Sequence, residues 1–396
     1  MKSLLLSVLL FAGVHLIKAQ NNEFLLFGGE KNDFGVALIN SYSSEGIMLL
    51  ASTRSFGSGS SDFLLMQFNA ELDLVKQQCF GGVHHDLPKS LIKGNDNEYI
   101  LFGSSFDFES EKVDFNLTRV DSAGDFLSRR IIQRKNADIG KKIIRCSDGN
   151  YVCVGMASGK NSFGQSKFFK ISPEGEILIE KDFGENAIRD YGFDVLENEK
   201  GFLMLSTNNC EIELSAAFGV AKAPSDITVL QLDHEGRQLW EYNYRGDDYD
   251  YAYSFVETEE AIFIAMNTRS EQAKSFDIRI LKLDLSGVLV DSYDFGGADF
   301  EYAYRIIEDA NSDLLVCGSS ASDVEQPSFY AFKINQGGEL LWTRTISKNA
   351  SIYAYDVVER ENGNFLFTGK YAYSESNSDI FLLELTSQGE SILQNR

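Results

Sequence analysis

The chain has 396 residues, with 59 acidic against 36 basic side chains and a formal net charge of −23. Such an acidic balance argues against nucleic acid or anionic lipid as a partner, and favours cations or basic proteins. The five cysteines (Cys79, Cys146, Cys153, Cys210 and Cys317) are an odd number, scattered without a CxxC, and read mostly as buried thiols.

The first segment, MKSLLLSVLLFAGVHLIKAQ, reads as a secretory signal peptide over residues 1–19. Lys2 supplies the basic start, Leu4 to Ile17 the apolar run and Ala19 the small residue at the cut. That run is too short for a comfortable membrane span, no later stretch approaches one, and no cysteine near the cut offers a lipid anchor. The expectation is an exported chain (periplasmic, cell-surface or secreted) whose residues 20–396 form a single domain. Loss of Lys2 and Lys18 takes its charge to −25.

The mature chain repeats one unit seven times. The first copy opens with DFGVALI at Asp33, continues with GIMLLAS, then DFLLMQFN from Asp62. The second has DLPKSLI at Asp86, EYILFGS, and DFNLTRVD from Asp114. The third has DIGKKII at Asp138 and NYVCVGM, with Gln165 where the third run should open with Asp. The fourth has DYGFDVL at Asp190, GFLMLST, and DITVLQLD from Asp226; the fifth has DYAYSFV at Asp250, AIFIAMN, and DIRILKLD from Asp277. The sixth has EYAYRII at Glu301 and DLLVCGS, with Ser328 at the third opening. The seventh, IYAYDVV, puts Ile352 in the acid's place before NFLFTGK and DIFLLELT from Asp379. Spacings between openings are 53, 52, 52, 60, 51 and 51 residues. A glycine-containing turn then leads to a fourth run, often closing with FGG or a relative of it.

Every run is short, rich in branched and aromatic residues and bounded by turn residues, the mark of a strand. Four antiparallel strands in each of seven copies predict an all-β, seven-bladed propeller. Runs apolar at nearly every position suit strands buried on both faces between blades. A small residue two places after most of the acids suits the crowded start of an innermost strand. The last copy lacks a fourth run, and Phe27 in EFLLFGG stands where its closing Phe should be. Pairing of the N- and C-terminal segments should therefore close the ring and remove an open edge; which terminus supplies the outer strand stays open.

FGGADFEYAYRII, SDLLVCG and SFDIRILKLDLSG together resemble the repeats of bacterial seven-bladed β-propeller exported proteins. The resemblance extends over essentially the whole mature chain. It implies the fold and supplies no catalytic motif, because such repeats occur in many surface and secreted proteins.

Asp33, Asp86, Asp138, Asp190, Asp250 and Glu301 should ring the central mouth on the face bearing the blade-to-blade loops. Two readings follow: a cation site or negative funnel for a basic ligand, or carboxylates that accept backbone N–H bonds and fix their own turns. His85 with Asp86 is a weak metal candidate beside His84. Asn116-Leu117-Thr118 is a glycosylation sequon in letters only, since it falls within a strand. The segment 207–226 is about eight residues longer than its counterparts, a loop of the kind that carries function on rigid scaffolds. Aromatic residues Phe56, Phe106, Phe108, Phe163, Phe218, Tyr371 and Tyr373, with Asp247, Asp248 and Tyr249, make a candidate binding rim.

No nucleophile elbow, Cys–His pairing or phosphate loop is present. The expected function is a non-enzymatic exported scaffold, a monomer binding a protein or glycan through its loop-rich mouth. The alternative is a propeller enzyme, a polysaccharide lyase or glycoside hydrolase, using acids at that mouth. No cofactor is expected, a divalent cation aside.

Overall fold

The computed structural model describes residues 23–42, 46–107, 112–132, 138–159, 162–184, 190–208, 225–246, 249–269, 276–297, 299–322 and 326–392. Among them, 28 strands form seven four-stranded antiparallel sheets, each in simple up-and-down order. The innermost strands are Asp33–Asn40, His85–Lys93, Asp138–Arg145, Tyr191–Asn198, Asp250–Glu257, Phe300–Glu308 and Ser351–Glu359. The signal peptide and most of the long 207–226 loop lie outside the described residues.

The middle strands of each sheet are buried along almost their whole length, as in Ile47–Thr53 and Asp62–Phe68 of the first blade. Outermost strands such as Leu340–Ile346 alternate instead between exposed and half-buried positions, with one face towards solvent. Buried apolar side chains sort into one cluster for each pair of neighbouring blades, including one that joins Leu38 and Leu49 of the first blade to Leu366 and Ile380 of the seventh. Every blade thus has two neighbours. An eighth cluster spans several blades around the channel mouth.

The N-terminal segment supplies the seventh blade's outer strand: Leu25–Phe27 pairs antiparallel with Asn377–Leu385. Phe27 faces Ile380, the residue after Asp379, just as Phe295 faces Ile278 after Asp277 in the fifth blade. Its ring lies 5.2 Å edge-on from Phe68, so the closing strand also carries core contacts.

All seven innermost strands carry a register shift at the same place, immediately after the small residue or, in the second blade, after Pro88. The shift runs from Gly35 to Ala37, from Ala303 to Arg305, and likewise in the other five. A bulge inserts one extra residue, so two consecutive side chains leave the strand on the same side.

Candidate functional site

The six acids are buried, from 0% exposure at Asp33 to 5% at Glu301. The carboxylates of Asp33, Asp86 and Glu301 face turns. Asp33 Oδ2 accepts from the Gly29 amide at 2.8 Å, and Oδ1 from the Thr53 hydroxyl at 2.6 Å and the Arg54 amide at 3.0 Å. Gly82 and Gly297 donate in the same way to Asp86 at 3.0 Å and Glu301 at 3.3 Å. The donor is each time the second glycine of FGG, four residues ahead of the acid. The first glycine faces the third-strand Asp: a Cβ on Gly28 would collide with Asp379, and one on Gly81 with Asp62.

FGG, the third-strand Asp and the next blade's acid are therefore one interlock between blades. Between the sixth and seventh blades all its parts change together. Ile346-Ser347-Lys348 stands for FGG, Ile352 for the acid, and Ser328 for the Asp, with the Ser328 and Ser347 hydroxyls bonded at 2.7 Å. Between the fourth and fifth blades Arg245 replaces the first glycine. Asp226 there is held above the usual carboxylate range by burial, which the Arg245 charge opposes.

Asp86 has further partners: Ser105 donates to Oδ1, Asn116 does so at 3.2 Å and Arg129 pairs with it at 2.5 Å. His85 Nδ1 lies 3.0 Å from the Ser61 hydroxyl, and burial lowers its pKa. Among the described residues no three His, Cys, Asp or Glu side chains are grouped to hold a metal. Asn116 is buried within its strand, so the sequon is closed to a glycan. Cys79, Cys146, Cys153 and Cys317 are free thiols, with Cys79 and Cys146 pushed up to about 12, chiefly by burial. Cys210 lies outside the described residues.

The aromatic rim needs correction. Tyr371 is buried, packed edge-on against Phe24 at 5.6 Å, because its strand runs on to Ser374. Phe56 is half-buried against the core shared by the first and seventh blades, and Phe106 against the mouth cluster. Tyr373 is 43% exposed and donates to Asp379 at 2.8 Å. The Tyr249 ring lies 6.0 Å from the Arg269 guanidinium. Asp247, Asp248, Phe108, Phe218 and the side chain of Phe163 lie outside the described residues.

The channel itself carries the densest chemistry. At the bulge the seven innermost strands present Val36, Lys89, Lys141, Phe193, Tyr253, Tyr304 and Tyr355. Ring centroids follow one another around the axis: Phe193–Tyr253 5.0 Å, Tyr253–Tyr304 5.9 Å, Tyr304–Tyr355 5.3 Å, then Tyr355–Phe34 6.1 Å. Lys141 Nζ sits 5.2 Å over Phe193. Two residues nearer the mouth, Tyr191, Tyr251, Tyr302 and Tyr353 continue the wall, with Phe276 5.4 Å from Tyr302.

One residue deeper lies an ionic floor. Arg305 is 3.3 Å from both Asp194 and Asp356, and Lys142 is 4.0 Å from Asp194. Asp356 also accepts from the Leu38 amide at 2.8 Å. Burial disfavours the Arg305 charge, but Asp194 and Asp356 hold its pKa above the ordinary value. Burial raises the pKa values of Tyr302, Tyr304, Tyr353 and Tyr355. These phenols stay protonated and can donate hydrogen bonds.

The sequence reading passed over these tyrosines. Their signal was Tyr at one and three places after the acid position in DYAY, EYAY and IYAY, where the first three copies have Phe, Leu, Ile, Val or Lys.

No family model matches this sequence and no curated protein sequence does. Solved structures do. The β-propeller domain of the trilobed protease from Pyrococcus furiosus, described as having an open velcro topology, matches with a TM-score of 0.52 at 11% identity, over 91% of this chain and 96% of that one. A polysaccharide lyase of family PL25, an ulvan lyase bound to -[GlcA(1-4)Rha3S]-, matches with a TM-score of 0.57 at 10% identity, over 90% and 95%. An acylaminoacyl peptidase from Pyrococcus horikoshii has a TM-score of 0.48 at 11% identity; 90% of this chain spans 52%, about half, of that protein. The first two likenesses, both with TM-scores above 0.5, bear out the β-propeller fold. Among the described residues no helix is long and apolar enough to cross a membrane.

Proposed function

We propose that this chain is a non-enzymatic, exported β-propeller that binds a glycan at the tyrosine-lined mouth of its central channel. The observation that carries the reading is the arc of aromatic rings from the fourth blade round to the first. Phe34, Tyr302, Tyr304 and Tyr353 of that arc are half-buried residues. Flat apolar faces with phenolic donors at their edges suit the C–H faces and hydroxyls of a sugar ring. The ionic floor gives such a ligand a base to rest on.

Binding is favoured over turnover by the state of the titratable groups. Tyr302, Tyr304, Tyr353 and Tyr355 are pushed up by burial, away from phenolate, and Asp33, Asp86 and Glu301 are spent on turn amides. A carboxylate pair for glycoside chemistry needs two groups free to face a sugar. The ulvan lyase gives one instance of a propeller of similar fold that holds a glycan. Membership among the bacterial seven-bladed repeat proteins, and export by the N-terminal segment, belong to the same proposal.

The test is a glycan-array screen followed by calorimetry on any hit. A Tyr302→Ala/Tyr353→Ala double variant, shown folded by circular dichroism, should bind at least about tenfold more weakly. Undiminished binding would place the ligand elsewhere.

A further inference from the structure

The central channel is blind. One residue below the bulge, six of the seven blades contribute to a single polar network. Arg305 of the sixth meets Asp194 of the fourth and Asp356 of the seventh, and its Nη1 donates to the Ser254 hydroxyl of the fifth at 3.0 Å. Lys142 of the third lies 4.0 Å from Asp194, and the Leu38 amide of the first donates to Asp356 at 2.8 Å. This network crosses the axis, because Arg305 and Asp194 stand two blades apart. A ligand chain entering at the mouth therefore stops at this level.

The wall above the floor is partly filled by the protein itself. Lys141 Nζ lies over the Tyr191 and Phe193 rings, at 5.8 and 5.2 Å, and Tyr251, Tyr253 and Tyr355 are buried. The half-buried aromatics, Phe34, Tyr302, Tyr304 and Tyr353, come from three successive blades, the sixth, seventh and first. Tyr302 and Arg305 are three residues apart on one strand, so the upper tier of rings stands roughly 10 Å above the floor. That depth takes about one or two sugar rings end to end. Lys142 and Arg305 keep 26% and 27% of their side chains exposed, and both carry N–H donors suited to the hydroxyls of a terminal sugar. A glycan held along its length needs a groove open at both ends. Here the wall curves round the axis and the floor closes it, so a chain enters by its tip.

We propose that the mouth recognises the end of a glycan chain: one or two terminal sugars stand among Phe34, Tyr302, Tyr304 and Tyr353 and rest on the floor, while the remainder trails into solvent. This inference rests on the reading of the mouth as a glycan site, and it names the part of the glycan that is taken.

The experiment is calorimetry on the full chain with the disaccharide and hexasaccharide of the malto, laminari, xylo, manno, chito and galacturono series. Alpha-cyclodextrin serves as the endless counterpart of maltohexaose. In a series that binds, the disaccharide should come within about fivefold of the hexasaccharide's affinity. A long linear polymer of that series should take up one copy of the protein per chain at saturation, and α-cyclodextrin should not bind. A hexasaccharide favoured by more than about fivefold, several copies on one polymer chain, or binding of α-cyclodextrin overturns end recognition. If Tyr302→Ala/Tyr353→Ala weakens hexasaccharide binding in that event, the glycan reading of the mouth stands without it. If that tyrosine variant changes nothing, or no probe binds up to about 5 mM, both readings fall.

Discussion

Arg305 on the sixth innermost strand reaches past the fifth blade to Asp194 on the fourth, with Nη1 3.3 Å from Oδ2. It also meets Asp356 of the seventh blade at 3.3 Å. One side chain therefore ties three blades across the axis. Removing it would leave Asp194 with Lys142 at 4.0 Å and Asp356 without its close cation. Breaking a fully buried pair costs about 3–5 kcal/mol, but Arg305 keeps 27% of its side chain exposed. Arg305→Ala should accordingly lose about 2 kcal/mol in urea unfolding at pH 7, and Arg305→Lys should recover part of it. A loss below about 0.5 kcal/mol would mean that water replaces the pairing.

Asp62 makes stability pH-dependent. It is 1% exposed, and burial with the nearby Asp86 charge raises its pKa from 3.8 to about 6, against the Ser58 and Gly59 amides that it accepts. The folded state thus binds the proton more tightly than the unfolded chain. The stabilising contribution is complete below pH 3.8 and is lost as pH rises through about 6. Asp62→Asn should gain about 2 kcal/mol relative to wild type between pH 4 and pH 8. A constant difference across that range would contradict the assignment.

The two glycines of Phe80-Gly81-Gly82 should respond unequally to an added methyl. A Cβ at Gly81 collides with the buried Asp62 carboxylate and comes within 2.9 Å of Asp86, whereas at Gly82 the nearest atom is Arg129 Nη1 at 3.9 Å. Gly81→Ala should destabilise by about 1–3 kcal/mol; Gly82→Ala, which keeps its amide for Asp86, should stay within about 0.5 kcal/mol. Thermal melts of the two variants, run side by side, decide it.

Phe27 tests the closing strand. It is 5% exposed and packs on Phe68 of the first blade while pairing with Ile380 of the seventh. Phe27→Ala should cost about 3–5 kcal/mol, and the freed edge of Asn377–Leu385 should promote self-association. Denaturant unfolding and light scattering read both effects; an unchanged melt would show that the strand is dispensable.

Much of this architecture was legible because a propeller writes each blade in the same letters. The repeat of apolar runs gave the strands, and counting from the turn glycine placed Phe27 on the last blade's edge. The interlock was half visible. FGG and the two acids each recurred, but their joint loss at Ser328, Ser347, Lys348 and Ile352 gains its meaning only when the residues are seen in contact. Tyr371 was misplaced because the sequence ended its strand too early. The channel tyrosines were passed over for a different reason: a bulge breaks the alternation of faces, so a period of two cannot tell that Tyr304 and Arg305 both turn towards the axis.

The shared bulge separates two duties within each inner strand. In Tyr304-Arg305 the second residue fastens the ring and the first meets whatever enters; Lys141-Lys142 divides the work in the same way. The floor of Lys142, Arg305, Asp194 and Asp356 sums to no net charge, and that neutrality is what its members must jointly preserve. The wall position before it carries no such obligation. Substitutions there can change what the propeller recognises, blade by blade, while the fastening beneath stays as it is.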